Sequence, residues 1–102
     1  MTEYNKLVRD KIPEIIRSGG EVPNVRILEQ EEYLVCLNKK LDEEVAEFHC
    51  DQNAEELADI LEVLYALTKA IGCNKEELMR VYESKHENRG GFDERIFLIS
   101  KE

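Results

Sequence analysis

What most constrains this chain is a pair of apolar stripes at helical spacing, separated by three polar residues. Leu34, Leu37, Leu41, Val45 and Phe48 recur every three or four positions. After Asp51-Gln52-Asn53 the pattern resumes with Leu57, Ile60, Leu61, Val63, Leu64, Leu67 and Ile71. Such spacing predicts one helix over about 30–49 and a second over 54–71. A connection that short makes the two antiparallel neighbours. Asn53 can cap the second helix and Gly72 can stop it. The second stripe is also wider than one partner helix covers, which points to burial against further copies of the chain.

The flanks extend the helical reading. Asp10 can cap a short helix running to about Arg17, with Pro13 in its first turn and Ser18-Gly19-Gly20 ending it. Asn74 and Glu77 make a capping-box-like start for a last helix to about Asn88, before Gly90-Gly91. Two segments read differently. "EVPNVRIL", residues 21–28, suggests a loop and a brief strand, and "RIFLIS" near the end is a strand candidate for pairing with Val25 to Leu28. With no repeat or linker, the chain reads as one domain over residues 1–102.

The acids raise the chemical question. "LDEEVAEF" places Glu43, Glu44 and Glu47 on the first long helix, and "EELAD" places Glu55, Glu56 and Asp59 on the second. At about 100° per residue, Glu44 and Glu47 lie along one edge of the apolar face, with Glu43 further round. Glu56 falls inside the apolar arc of the next helix and Asp59 on its border, while Glu55 and Glu62 point to the polar side. A carboxylate on an apolar face must be neutralised, capped or bound to a cation, because an isolated buried charge is very costly. Ordinary roles compete with that one. Glu56 can complete a cap with Asn53, first-turn acids suit the helix dipole, and Glu43 and Glu44 can pair with Lys39 and Lys40. Yet two acid pairs facing each other across a tight helical hairpin form an all-oxygen set suited to magnesium or manganese.

Composition narrows the classes. The net charge of −9 is uneven: residues 29–62 hold 12 acids and 2 bases, and the remainder holds 11 acids and 12 bases. An acidic protein is poorly suited to duplex nucleic acid, which is bound through Lys and Arg on phosphates. An anionic substrate would need a cation between itself and the acids. No apolar run approaches the roughly 18 residues of a membrane span, and no signal segment is evident, so no membrane association is expected. Cys36, Cys50 and Cys73 are scattered, without a Cys-x-x-Cys pair, which suits a reducing cytoplasm and argues against a zinc knuckle.

"LDEEVAEF" followed by "EELAD" resembles the Glu-x-x-Glu … Glu-x-x-Asp signature of the all-α nucleoside triphosphate pyrophosphohydrolases. That superfamily includes the MazG proteins, dimeric dUTPases and phosphoribosyl-ATP pyrophosphohydrolases. "YNKLVRDKIPEII" and "KHENRGGFDERIFL" look like one MazG-like branch, often named after phosphoribosyl-ATP pyrophosphohydrolase, so the resemblance covers nearly the whole chain. It implies an all-α bundle of four to five helices, assembled as a homodimer or tetramer. It implies magnesium ligands at Glu44, Glu47, Glu56 and Asp59, with Glu43 in an outer shell or orienting a water. Only eight residues separate Glu47 from Glu56, fewer than in many members, which leaves either Glu43 or Glu44 as the direct ligand. The implied reaction is hydrolysis of a nucleoside triphosphate between the α and β phosphates, in nucleotide-pool house-cleaning. The alternatives are a phosphoribosyl-ATP pyrophosphohydrolase of histidine biosynthesis and a non-catalytic acidic module that binds a partner protein.

Cations should complete such a site. Lys85 and Arg89, four residues apart on the last helix, share a face and could clamp phosphates, or simply suit a helix C-terminus. Arg9 and Lys11 could reach the same substrate, or could pair only with Asp10 and Glu14. His49 and His86 lack metal-ligand spacing, and Tyr65 and Phe48 suit the core.

Overall fold

The computed structural model describes residues 2–102. It is all-α, with four helices: α1 Ile12–Ser18, α2 Gln30–Cys50, α3 Ala54–Ala70 and α4 Lys75–Arg89. None is long and apolar enough to cross a membrane.

Local chemistry sets most boundaries. The Asn53 side chain accepts the Glu56 N–H at 3.0 Å, and Asn74 does the same for Glu77 at 2.9 Å, so α3 and α4 start where a side chain takes up an orphan donor. At the end of α3, Gly72 has φ +89°, its N–H reaches the Lys69 carbonyl, and the Cys73 N–H reaches the Thr68 carbonyl. That double closure is a Schellman motif, which needs a left-handed residue at Gly72. Gly20 closes α1 in the same way. The start of α1 differs from expectation: Lys11 is the N-cap and makes no side-chain cap, so Asp10 lies outside the helix. Pro13 sits in the first turn, where its missing N–H costs nothing.

α2 and α3 form an antiparallel hairpin across Asp51-Gln52-Asn53. At its open end, Gln30 at the head of α2 donates to the Ala70 carbonyl at the foot of α3, at 2.8 Å. Leu37 and Val63 are the buried large apolar side chains among the described residues. The wide stripe of α3 is therefore split. Val63 is enclosed and Ile60 and Leu67 are half-buried, whereas Leu57, Leu61, Leu64 and Ile71 stay 40–70% exposed. α4 meets α3 over a short length only. The Cα radius of gyration is 18.1 Å, against about 13 Å for a compact domain of this length.

No strand forms among the described residues, so the expected pairing of "RIFLIS" with Val25 to Leu28 does not occur within the chain. Both segments run without helix, turn or bend; Val25, Ile27 and the apolar side chains of 96–99 are exposed, and Leu28 is half-buried. A lone two-stranded ribbon without a covered face is marginal in water.

Candidate metal centre

The hairpin turn places its flanking residues opposite each other. Glu44 and Glu47 lie one turn apart near the end of α2, and Glu56 and Asp59 one turn apart near the start of α3. One carboxylate oxygen from each of the four lies within 4.8 Å of the others. Glu43 is outside this group, exposed and 3.7 Å from Lys40 Nζ, so the residue turned inward is Glu44.

Glu44 is 8% exposed, which is unusual for a carboxylate. Its Oε1 lies 3.8 Å from Lys40 Nζ, while its Oε2 is buried without a hydrogen-bond partner. Glu56 Oε2 is in the same condition, even though the backbone N–H of Glu56 is capped by Asn53. Buried acceptors left unpaired carry a desolvation cost, and here one comes from each helix, into the same cluster. Burial pushes the Glu44 carboxyl above its ordinary value, with repulsion from Glu47 and Asp59 adding to it and Lys40 opposing. Burial likewise raises Glu56, helped by Glu47, Asp59 and Asp51.

Four hard oxygen donors, two of them with an unsatisfied buried atom, fit a divalent cation such as magnesium, manganese or calcium. No soft sulfur or imidazole donor belongs to the cluster.

Of the cations anticipated from the sequence, Arg9 reaches the cluster. Its Nη2 donates to Asp59 Oδ1 at 2.8 Å, pairing with neither Asp10 nor Glu14. This lays the segment before α1 along α3, with Asp10 lining a crevice beside Tyr33, Glu62 and Tyr65. Lys11 is exposed and makes no ion pair among the described residues. Lys85 and Arg89 are also exposed and unpaired there, on a helix that starts at the opposite end of the hairpin from the cluster. Lys40 was underrated: its spacing from Glu43 and Glu44 suggested an ordinary surface pair, yet it is half-buried at the cluster edge.

Two outcomes follow from these contacts. Both pairing groups of Arg9 and Asp59 are well exposed, so Arg9→Gln should change stability by less than about 1 kcal/mol. Removing that guanidinium leaves the cluster more negative, and magnesium binding by calorimetry should tighten several-fold. The second concerns pH. Raised carboxyl groups take up protons on folding, so the stability they contribute is fully present below the ordinary carboxylate value and is lost as pH rises through the folded one. Thermal melts in chelator should therefore show the metal-free protein gaining stability as pH falls from 7 towards the carboxylate range. Glu44→Gln should flatten that slope.

No family model matches the chain, and no solved structure matches it. Part of it is similar to a protein of Mycolicibacterium smegmatis (strain ATCC 700084 / mc(2)155) described as an uncharacterized protein. The two are 57% identical over 42 residues, which is 41% of this chain and 43% of that protein. The chain thus matches less than half the length of this relative.

Proposed function

We propose that this chain is a magnesium-dependent hydrolase that splits a nucleoside triphosphate, or a related nucleotide, between the α and β phosphates, releasing monophosphate and pyrophosphate. The observation that carries this reading is the convergence of Glu44, Glu47, Glu56 and Asp59, with Glu44 Oε2 and Glu56 Oε2 buried and unpartnered. The resemblance of "LDEEVAEF" and "EELAD", with their flanks, to the all-α pyrophosphohydrolases supplies the reaction class.

A bound magnesium or manganese ion would offset the repulsion among the carboxylates, screen the substrate phosphates and acidify a water. The chain's own part is placement. Two helices joined by a three-residue turn hold four carboxylates in fixed register. Arg9, already at Asp59, presents a planar guanidinium suited to phosphate oxygens beside them. Lys11, Lys85 and Arg89 are assigned to phosphate binding once further elements close over the cluster. The water oxygen bonds to the α phosphorus as the bond to the bridging oxygen breaks, and pyrophosphate leaves. Glu43, outside the cluster, is left a role in orienting water.

The working form is proposed to be a homodimer or tetramer in the cytoplasm. The chain exposes 9490 Å², whereas a compact monomer of this mass exposes roughly 6000 Å². The excess is well beyond the roughly 800 Å² per partner of a standard interface. The exposed stripe Leu57, Leu61, Leu64 and Ile71 is apolar surface of the kind such an interface covers.

The deciding assay is pyrophosphate release from a panel of ribo- and deoxyribonucleoside triphosphates and phosphoribosyl-ATP, with magnesium or with chelator. Magnesium-dependent release from common or modified triphosphates is the expected result. Preference for phosphoribosyl-ATP over every other nucleotide would move the reading to histidine biosynthesis. No release from any of them, with no magnesium effect on melting temperature, leaves the acidic protein-binding module.

A further inference from the structure

We propose that the C-terminal segment 96–99 docks on a second copy of this chain, with its backbone along residues 24–28 of that copy. The inference rests on the assembly proposed above and specifies what that assembly exchanges.

In "FDERIFLI", Phe92, Ile96, Phe97, Leu98 and Ile99 are all at least 77% exposed. Four consecutive large apolar residues are not the pattern of an amphipathic edge strand with one face in water. They are the pattern of an extended segment covered on both faces. Within the chain neither face is covered. Leaving them in water forfeits the roughly 1.5–3 kcal/mol that burying each such side chain contributes.

The acceptor shows the complementary lack. Val22, Val25 and Ile27 are exposed, and residues 22–28 make no backbone–backbone hydrogen bond among the described residues, nor do residues 96–101. Residues 22–28 and 96–99 run without turn or bend and carry β-branched Val22, Val25, Ile27, Ile96 and Ile99, whereas 92–94 form a bend and turn closed by the Arg95 N–H on the Phe92 carbonyl. Beside the acceptor, Arg26 makes two exposed hydrogen bonds to Glu32 near the head of α2, at 3.0 and 2.6 Å. Side chains alternate along an extended segment, so a strand laid against 24–28 would have Val25 and Ile27 on one side and Arg26 on the other. Addition of a strand from another chain satisfies the backbone of both segments and covers their apolar side chains. Each segment lacks what the other offers, and within one chain they share no backbone hydrogen bond. A second copy is therefore the occupant, and the large excess of exposed area supplies the surface to be buried.

The test places the photocrosslinker p-benzoylphenylalanine at position 97 in the full chain, in a mixture of isotopically light and heavy protein. The expected product is a covalent dimer whose crosslinked peptides join position 97 of one isotope to residues 21–30 of the other. Crosslinks confined to one isotope, or mapping elsewhere, overturn the proposal. So does a sedimenting dimer that yields no covalent dimer, although assembly itself then stands. A chain that sediments only as a compact monomer overturns both readings. As a second measurement, Phe97→Asp and Ile99→Asp should each weaken self-association at least tenfold, with unchanged helicity by circular dichroism. Undiminished association of both variants counts against the docked tail.

Discussion

Glu44→Gln is expected to abolish the proposed magnesium-dependent turnover while raising the melting temperature of the metal-free protein. Two effects of opposite sign arise from one atom. Glu44 is the most enclosed of the four clustered carboxylates, and its Oε2 has no partner. As a charged group it bears the desolvation cost of burial together with repulsion from Glu47 and Asp59. An amide has the same shape without the charge, so the metal-free fold loses a liability. The cation loses a ligand that faces it from the interior and gains a weaker donor. A drop in magnesium affinity of at least about 100-fold is expected, since even outer partners of metal ligands are worth 10–100-fold. Calorimetry reads the affinity, a chelator-treated melt reads the stability, and pyrophosphate release reads the turnover. Glu43→Gln is the control: exposed and outside the cluster, it should leave magnesium affinity close to the parent value. Equal affinity in the Glu44 variant and the parent would remove Glu44 from the site.

Leu61→Asp is expected to convert the proposed assembly to monomers at micromolar concentration without loss of helix. In the isolated chain Leu61 is partly open to water, so a carboxylate there meets little opposition. Between copies it would be enclosed with Leu57 and Leu64, where an unpaired charge costs several kcal/mol. A penalty of about 3 kcal/mol corresponds to a loss of more than 100-fold in association. Sedimentation velocity distinguishes the outcomes, and circular dichroism confirms that α2 and α3 persist. If the variant and parent sediment alike as oligomers, the α3 stripe is not the contact.

The parts of this molecule that depend on near neighbours were legible in the sequence. Asn53, Asn74, Gly20 and Gly72 mark helix ends because capping involves residues three to five apart. Helical periodicity puts Glu56 inside the apolar arc and Glu44 at the margin of its own, but leaves Glu43 and Glu44 both open as ligands; the burial of Glu44 decides between them. What escaped depends on distance or on other chains. Arg9 meets Asp59 across 50 positions, and no local pattern distinguishes that partner from Asp10 or Glu14. Where Lys85 and Arg89 lie depends on the angle at which α4 leaves α3, which a helical wheel does not contain. "RIFLIS" and "VPNVRIL" have strand composition, but composition does not say whether the matching strand is in the same molecule.

The three-residue turn between α2 and α3 also governs the order of events in folding. Every carboxylate of the cluster lies between positions 44 and 59, and the turn connecting their helices falls inside that span. Closing so short a loop takes on the order of 100 ns or less, whereas assembly of subunits is slow and depends on concentration. On these timescales the cluster is expected to come together on a single hairpin, ahead of any association between chains. At that stage four negative charges oppose hairpin closure, and a divalent ion captured there would act as a folding nucleus before it acts in any reaction.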